Sequence, residues 1–524
     1  MTASDLLVEC LEREGVEYVF GLPGEELEDV LFSLRESDIE FIPVRHEQGA
    51  AFMADVHGRV TGRAGVCLST LGPGATNLLT GVADAHLDKS PLVAITGQAG
   101  LERLHKESHQ ALDIVHTYRS VTKWNVQLSS PEIINESVRK AFKLAEYEKP
   151  GATHLEFPED VAAAETDAEP LEPRRRVRRP DPDRQSVRRA AELLEDADRP
   201  LIIAGNGAVR TRAAQSLRRF VSDTAVPVVG TYMGKGALSD ADEHSLFTLD
   251  SGANGEAADA IARADCVLAV GYDIAEHDPE KWNPDLDKDV VHLDHEPAEV
   301  YEHYNPEVEL VCDISAGLDA LLPAVDVSCP AEWYRDQREA IVEQVTRTPD
   351  ADDPVTVRNV LPVLREAMAD EDVLISDVGS HKMAIAQNFP AYEPNTVIVS
   401  NGLASMGIAV PGGIAADLAL DSEVVVGTGD GGFLMNAAEI ETATRLGCDY
   451  TIVVFNDSEY RLITEEQEEH RDDHFGTHLT NPDFVAFAES FGIGATRAET
   501  WGEIADALRA GVESDEMSLV EIPV

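Results

Sequence analysis

Short unbroken apolar runs alternate along the whole chain with stretches whose apolar residues recur every three or four positions. The runs read as strands buried on both faces, and the periodic stretches as amphipathic helices. Near the start, the pattern predicts a helix over Ser4–Glu14, a strand over Tyr18–Phe20 and a turn over Gly21–Gly24. It continues with a helix over Glu25–Leu34, a strand over Phe41–Val44, a helix over Glu47–Thr61 and a strand over Ala64–Thr70. A helix over Ala75–His86 and a strand over Leu92–Thr96 follow. After a Pro- and Arg-rich break (residues 161–185), strands are predicted at Leu201–Ala204, Val226–Gly230, Cys266–Val270 and Val290–Leu293. After a second break around Pro349–Pro354 come strands at Val373–Asp377 and Val424–Val426. A helix over Phe433–Arg445, stopped by Gly447, leads to a strand over Tyr450–Phe455. The expectation is α/β: three doubly wound domains with parallel sheets, over residues 1–165, 186–325 and 350–524. A chain of 524 residues suits three domains better than one.

Charge changes the picture. The formal net charge is -55, from 97 acidic and 42 basic residues. This argues against a nucleic-acid partner and against an anionic membrane surface. Disorder does not explain it, because apolar periodic segments run throughout. A protein adapted to concentrated salt does. At molar ionic strength the Debye length is about 3 Å, so self-repulsion is screened. The basic run Pro173–Pro180 reads as a tether lying on an acidic surface rather than a nucleic-acid tail. The opening segment MTASDLLVECLEREGV is acidic and amphipathic, unlike a signal peptide, and no apolar run is long enough to span a membrane. The six cysteines are scattered without CxxC spacing, so neither a disulfide frame nor a zinc site is expected; Cys67, Cys266 and Cys448 read as core. A soluble cytoplasmic protein is the expectation.

The candidate chemistry sits at the ends of predicted strands. Gly429-Asp430-Gly431-Gly432 reads as a tight turn between strand and helix, and Asn456-Asp457 closes the next strand. In a strand–helix–strand unit both loops fall on one sheet edge, so Asp430 and Asp457 can converge. Two carboxylates beside a glycine turn suit Mg²⁺ that also holds a diphosphate; an ordinary turn with two solvated aspartates fits the same spacing. Leu71–Asn77 and Val378–His381 are two more small-residue edges that open helices. Glu47, read from position alone, is a first-turn acid favoured by the helix dipole. Gly205–Gly207 lacks the third glycine and the acid of a nicotinamide site.

The spacing of Gly429-Asp430-Gly431, then twenty-four residues, then Asn456-Asp457 resembles the thiamine diphosphate signature of the acetolactate synthase family. The segments GVEYVFGLPGE, RHEQGAAFMADVHGRVTG, GPGATNLLTGVADAHLDKSPLVAITGQ and KESHQALD resemble the same family's pyrimidine-binding domain. Lys123-Trp124 fits its next segment. The resemblance implies a thiamine diphosphate-binding fold with pyrimidine, central and diphosphate domains. It implies Mg²⁺ on Asp430, Asp457 and the carbonyl of Glu459. Glu47 is implied to share a proton with the aminopyrimidine; glyoxylate carboligases lack this residue. Gln110 and His109 are implied to face the reacting atoms, with His where anabolic enzymes carry Phe. Pro23, Asn77, Gly379, Ser380, His381, Gly429, Gly431 and Gly432 are implied to line the cofactor. Met406 would prop it from below, and the Ala404 carbonyl would accept from its 4′-amine.

The stretch Gly271-Tyr272-Asp273-Ile274-Ala275-Glu276-His277-Asp278-Pro279 resembles the FAD-independent catabolic members, so FAD is not expected. Tyr460–Gln467 should form part of a lid, with Glu466 where anabolic enzymes carry Trp. The implied reaction condenses two pyruvate molecules to 2-acetolactate, with loss of CO₂, through hydroxyethyl-thiamine diphosphate. Another 2-oxo acid decarboxylase, an acetyl-transferring enzyme, or a regulatory homologue without catalysis are the alternatives. The implied partners are small 2-oxo acids and further copies of this chain, in a homodimer or homotetramer with sites between subunits.

Overall fold

A computed structural model describes residues 1–524 other than 174–176, 178, 211, 212 and 250–254. Three six-stranded sheets organise the chain, and every strand pair in them is parallel. The first sheet holds β1 (Tyr18–Gly21), β2 (Glu40–Pro43), β3 (Gly65–Ser69), β4 (Leu92–Gln98), β5 (Trp124–Gln127) and β6 (Ala152–Pro158), in the order 2-1-3-4-6-5. The second holds β7 (Pro200–Ala204), β8 (Val228–Gly230), β9 (Ser245–Thr248), β10 (Cys266–Val270), β11 (Asp289–Asp294) and β12 (Val308–Val311), in the order 12-11-10-7-8-9. The third holds β13 (Val373–Ser376), β14 (Val397–Val399), β15 (Val424–Gly429), β16 (Thr451–Asn456), β17 (Gly494–Arg497) and β18 (Ser518–Pro523), in the order 14-13-15-16-18-17. Helices flank each sheet, as the alternation predicts.

Successive side chains of a strand point to opposite faces, and the cores divide accordingly. In β3, Val66 and Leu68 join a core with the opening helix Ala3–Glu14, while Cys67 faces the other way. In β15, Val425 packs toward the helix Trp501–Val512, while Val424 and Val426 face the layer that holds Cys67. That layer is shared: the helix Glu47–Thr61 of the first domain lies against the helix Ala409–Ala419 of the third, and one continuous apolar core runs through both. The contact is close at Gly412, where an added Cβ would come within 2.9 Å of Val56. The second sheet has a core of its own. All six cysteines are buried and free.

Several boundaries differ from expectation, each for a visible reason. Asp430–Gly432 is no separate turn: β15 runs on to Gly429, and a helix, Asp430–Asn436, begins at once. The predicted single helix Phe433–Arg445 is broken into Asp430–Asn436, a 3₁₀ turn Ala437–Glu439 and a helix Ile440–Leu446. The break lies where Asn436 turns its side chain away to donate to the Gly407 carbonyl at 2.8 Å. Gly447 does close the last piece, in a left-handed conformation. Glu25–Leu34 opens with a 3₁₀ turn, Glu25–Leu27, before the helix Glu28–Arg35. In the Leu71–Asn77 segment the helix already starts at Pro73, and its fixed φ suits that position. Part of the basic run Pro173–Pro180 lies outside the described residues. Its Arg179 reaches Asp313 at 3.0 Å and Glu148 at 3.6 Å, as a tether over an acidic surface would. No helix among the described residues is long and apolar enough to cross a membrane.

Candidate active site

The carboxyl ends of the first and third sheets carry two groups of candidate residues. In the first, the Glu47–Thr61 helix starts immediately after an extended His46, whose ring accepts from the Gln48 N–H. Glu47 on its first turn is 6% exposed. The Asn77 amide donates to its Oε2 at 3.0 Å. Asn77 is delivered by the helix Pro73–Leu87, whose first glycine lets Glu47 approach; a Cβ on Gly74 would lie 3.3 Å from Oε1. Gly72 has φ +53 and packs against the Gln110 backbone, so it has neither conformational freedom nor room for a side chain. Gln110 is itself left-handed, and His109 and Gln110 are exposed on an irregular segment. Pro23, after β1, is also exposed.

The second group lies on the third sheet. Asp430 is 1% exposed, and burial raises its carboxyl pKa. The Asn481 amide, donating to Oδ2 at 2.5 Å, opposes that shift, and the nearby charge of Asp457 reinforces it. A buried carboxylate with a second negative charge beside it is a poor arrangement without a cation and a good one with it. The stand-ins point the same way. Asp457 is met by Arg461 at 2.8 Å, and the Asn481 amide also reaches Asn456 and Ser458. Mg²⁺ fits this donor set.

The glycines here are required by proximity. A Cβ on Gly431 would lie 2.7 Å from the Tyr460 ring, and one on Gly432 would lie 2.9 Å from Asp377. Gly379, with φ +154, and Gly429 both pack against the His381 ring. His381 is buried and its Nε2 has no hydrogen-bond partner, while burial lowers its pKa to about 4. In the first turn of the helix Ser380–Asn388, the unpartnered Nε2 suits a diphosphate oxygen when it carries a ring proton to donate.

Behind these groups stands a frame that the sequence motifs do not announce. Asp377, at the end of β13, accepts from Gly407 N–H at 2.7 Å and from Thr428 at 3.1 Å; burial lifts its pKa to about 6. It fixes the end of the irregular segment 401–407, which carries left-handed Ala404 and half-buried Met406. The other end is gripped from the first domain. Buried Arg59 meets Asp55 at 2.8 Å, Asp88 at 2.7 Å and Asp84 at 3.3 Å, and donates to the Val399 carbonyl at 2.9 Å. Asp84 in turn accepts from Ser400, and Asp88 from the amides of Asn401 and Gly402. Glu439, 1% exposed, accepts from the amides of Arg45 and His46 and from Thr442, and so ties the start of the Glu47 helix to the third domain. Asp55 with Arg59, and Asp84 with Asp88, are spaced i,i+4 on otherwise apolar helix faces; that was the available signal. Asn481 and Glu439 had none.

Among the described residues no hydrogen bond joins the Glu47 group to the Asp430 group. Leu403, Leu434 and Met435, around the second group, are 39%, 39% and 48% exposed. In the second domain, the amide that opens the loop after β7 is already taken. Buried Glu276 accepts from the Asn206 N–H at 3.0 Å and from Thr231, and its pKa is raised to about 8 by burial and by Asp273.

Three family models match the chain in order. Residues 1–117 match the thiamine pyrophosphate enzyme N-terminal TPP binding domain, 187–321 the central domain, and 377–522 the C-terminal TPP binding domain. Relatives match from end to end. The acetolactate synthase of Bacillus subtilis (strain 168) is 32% identical over 99% of this chain and 93% of its own length. The catabolic acetolactate synthase of Raoultella terrigena is 31% identical over 99% and 94%. The large subunit of acetolactate synthase isozyme 2 of Escherichia coli (strain K12) is 31% identical over 100% and 96%. With all three domains present in order and relatives covering nearly every residue, the chain belongs to the acetolactate synthase family of thiamine diphosphate-dependent enzymes.

Proposed function

We propose that this enzyme condenses two pyruvate molecules into 2-acetolactate and CO₂, using thiamine diphosphate and Mg²⁺ at sites formed between chains. The observation that carries the reading is the division of the site: a shielded Glu47–Asn77 pair on one sheet edge, and a desolvated Asp430–Asp457 pair on another, with exposed apolar side chains beside the second. In this reading the complement of each half would come from a second copy. Thiamine diphosphate, when bound, supplies the nucleophilic carbon that takes up a 2-oxo acid.

The protein's part is to hold and aim. Asp430, Asp457 and the Glu459 carbonyl would hold Mg²⁺, and His381, with the Gly379 and Ser380 edge, would meet the diphosphate. Met406 would prop the cofactor and the Ala404 carbonyl would accept from its amine, in a segment fixed at both ends by Asp377 and by Asp84 and Asp88. Glu47, shielded from water, holds the proton shared with the pyrimidine ring, and Asn77 keeps Oε2 occupied so that Oε1 is free for it. Pro23 would line the cofactor, and His109 and Gln110 would face the reacting atoms. Residues 1–165, 186–325 and 350–524 are the three domains of this reading.

Flavin plays no part in it. Condensation with loss of CO₂ involves no net redox change. A phosphate brought to the loop after β7 would meet the Glu276 carboxyl, which already takes the amide there. The purified protein should be colourless and should form acetolactate with Mg²⁺ and thiamine diphosphate alone. A stoichiometric flavin spectrum, with activity restored by FAD after stripping, defeats the flavin-free reading; acetaldehyde as the sole product defeats the condensation.

The same reading places the enzyme in concentrated salt. With a net charge of -55, the melting temperature should rise steeply as KCl increases from 0.1 M, where the Debye length is about 10 Å, to molar levels, where it is about 3 Å. A melting temperature indifferent to KCl removes this part of the proposal.

A further inference from the structure

Beyond Asp457 the chain folds back on itself. Tyr460 N–H donates to the Thr477 carbonyl at 2.9 Å, and Leu479 N–H to the Ser458 carbonyl at 2.8 Å. These two bonds flank an antiparallel bridge between Glu459 and His478. In that register the two residues form a non-hydrogen-bonded pair, the kind whose side chains stand closest on one face. His478 Nδ1 lies 3.5 Å from Glu459 Oε1. Between the strands of the bridge runs the exposed helix Arg461–Arg471, closed by Asp472 in a left-handed conformation. The return segment then brings His474 in: its Nε2 lies 3.2 Å from His478 Nε2 and 3.8 Å from Glu459 Oε1. One ligand atom from each of the three residues falls within 4.8 Å of the others.

Two features go beyond proximity. First, Glu468 Oε1, from the exposed helix, lies 2.9 Å from His474 Nδ1. A carboxylate can only accept, so Nδ1 carries the proton and Nε2 presents its lone pair inward, the outer-shell arrangement that orients metal-ligating histidines. Second, tetrahedral bonds of about 2.0–2.1 Å place two nitrogen ligands about 3.3 Å apart, close to the separation of the two imidazoles. Two imidazoles and one carboxylate suit a borderline ion such as Zn²⁺; the hard ion Mg²⁺ prefers oxygen. The His478 side chain is 77% exposed, leaving the face open to an entering ion and to a water as fourth ligand. The cysteine spacing that argued against a zinc site bears on thiolates and not on this group.

We propose that the side chains of Glu459, His474 and His478 bind one divalent transition-metal ion of the Zn²⁺ class, at a second site beside the Mg²⁺ site, to which Glu459 would give only its backbone carbonyl. The ion would staple both ends of the Arg461–Arg471 excursion to the loop that carries Asp457. The test uses the intact protein in KCl, treated with a chelator and returned to saturating Mg²⁺ and thiamine diphosphate, then titrated with Co²⁺. One equivalent per chain should bind with a visible d–d absorption band that Zn²⁺ abolishes. His474→Gln and His478→Gln should each lose the band and bind Co²⁺ at least about tenfold more weakly, and Glu468→Gln should weaken binding about 10–100-fold. Asp430→Ala should keep the band. The proposal is overturned if the wild-type protein gives no band, if His474→Gln binds Co²⁺ as tightly as wild type, or if the band vanishes in Asp430→Ala and survives in His474→Gln.

Discussion

Glu47→Gln should fold, bind thiamine diphosphate and Mg²⁺, and turn over pyruvate about 10²–10⁴-fold more slowly, the range typical of a lost general acid–base group. The substitution is nearly isosteric, and the Asn77 amide can still donate to the remaining side-chain oxygen, as it does to Oε2 now. What the amide cannot do is give up and recover a proton. The deficit should therefore fall on kcat, with cofactor affinity little changed, and exchange of the cofactor's reactive carbon proton with solvent should slow in parallel. A variant with near-normal kcat would remove Glu47 from the chemistry. One that had lost cofactor binding would make it a binding group instead.

Asp430→Ala should abolish Mg²⁺-dependent retention of thiamine diphosphate. Its carboxyl is buried and pushed up by burial, with Asn481 opposing and Asp457 adding to the shift. Removing it relieves a desolvated like-charge contact, so the protein without cofactor should be no less stable than wild type. The difference appears on loading. A ligand at about a hundred times its Kd stabilises by about 2.7 kcal/mol, and that gain should be present in wild type and absent in the variant. Asp457→Asn should keep most of it, since an amide oxygen still offers a ligand. If thermal shifts on adding Mg²⁺ and thiamine diphosphate were equal in Asp430→Ala and wild type, or equally lost in both variants, the metal loop would be misassigned.

Much of this architecture was legible in the chain because buried parallel strands read as unbroken apolar runs. Val424–Val426 and Cys266–Val270 could hardly be anything else. The strands that escaped notice are of another kind. Edge strands β5 and β17 carry half-buried or exposed residues, so no apolar run marks them. The strands β6, β9, β12, β14 and β18 were passed over too, although β6, β9 and β14 are buried throughout. Polar residues such as Thr153, His154 and Glu156 break up the run in β6, and β9 and β14 are short. Glycine was correctly singled out at Gly429–Gly432 for the wrong local reason: the backbone there is ordinary strand and helix, and the need is for space beside His381, Tyr460 and Asp377. Residues that touch the cofactor in the family occur in short recognisable motifs. Those that hold the motifs in place do not, because Asp88 with Gly402 or Glu439 with Arg45 are contacts across hundreds of residues, and no local spacing encodes them.

The layer in which the Glu47–Thr61 and Ala409–Ala419 helices meet bears on how the chain comes apart. The first and third domains own that core jointly, and the Arg59 cluster crosses the same boundary. The second domain owns its core outright and meets the first through polar contacts such as Arg210 with Glu148 and Lys149 with Asp273. Cooperative unfolding follows cores and not chain order. Three domains therefore make two melting units: one discontinuous, joining residues that are some of the most distant in sequence, and one inserted between them. The inserted unit, fastened largely by charges, is the one whose attachment concentrated salt would loosen, while the discontinuous unit, fastened by apolar area, would tighten under the same salt.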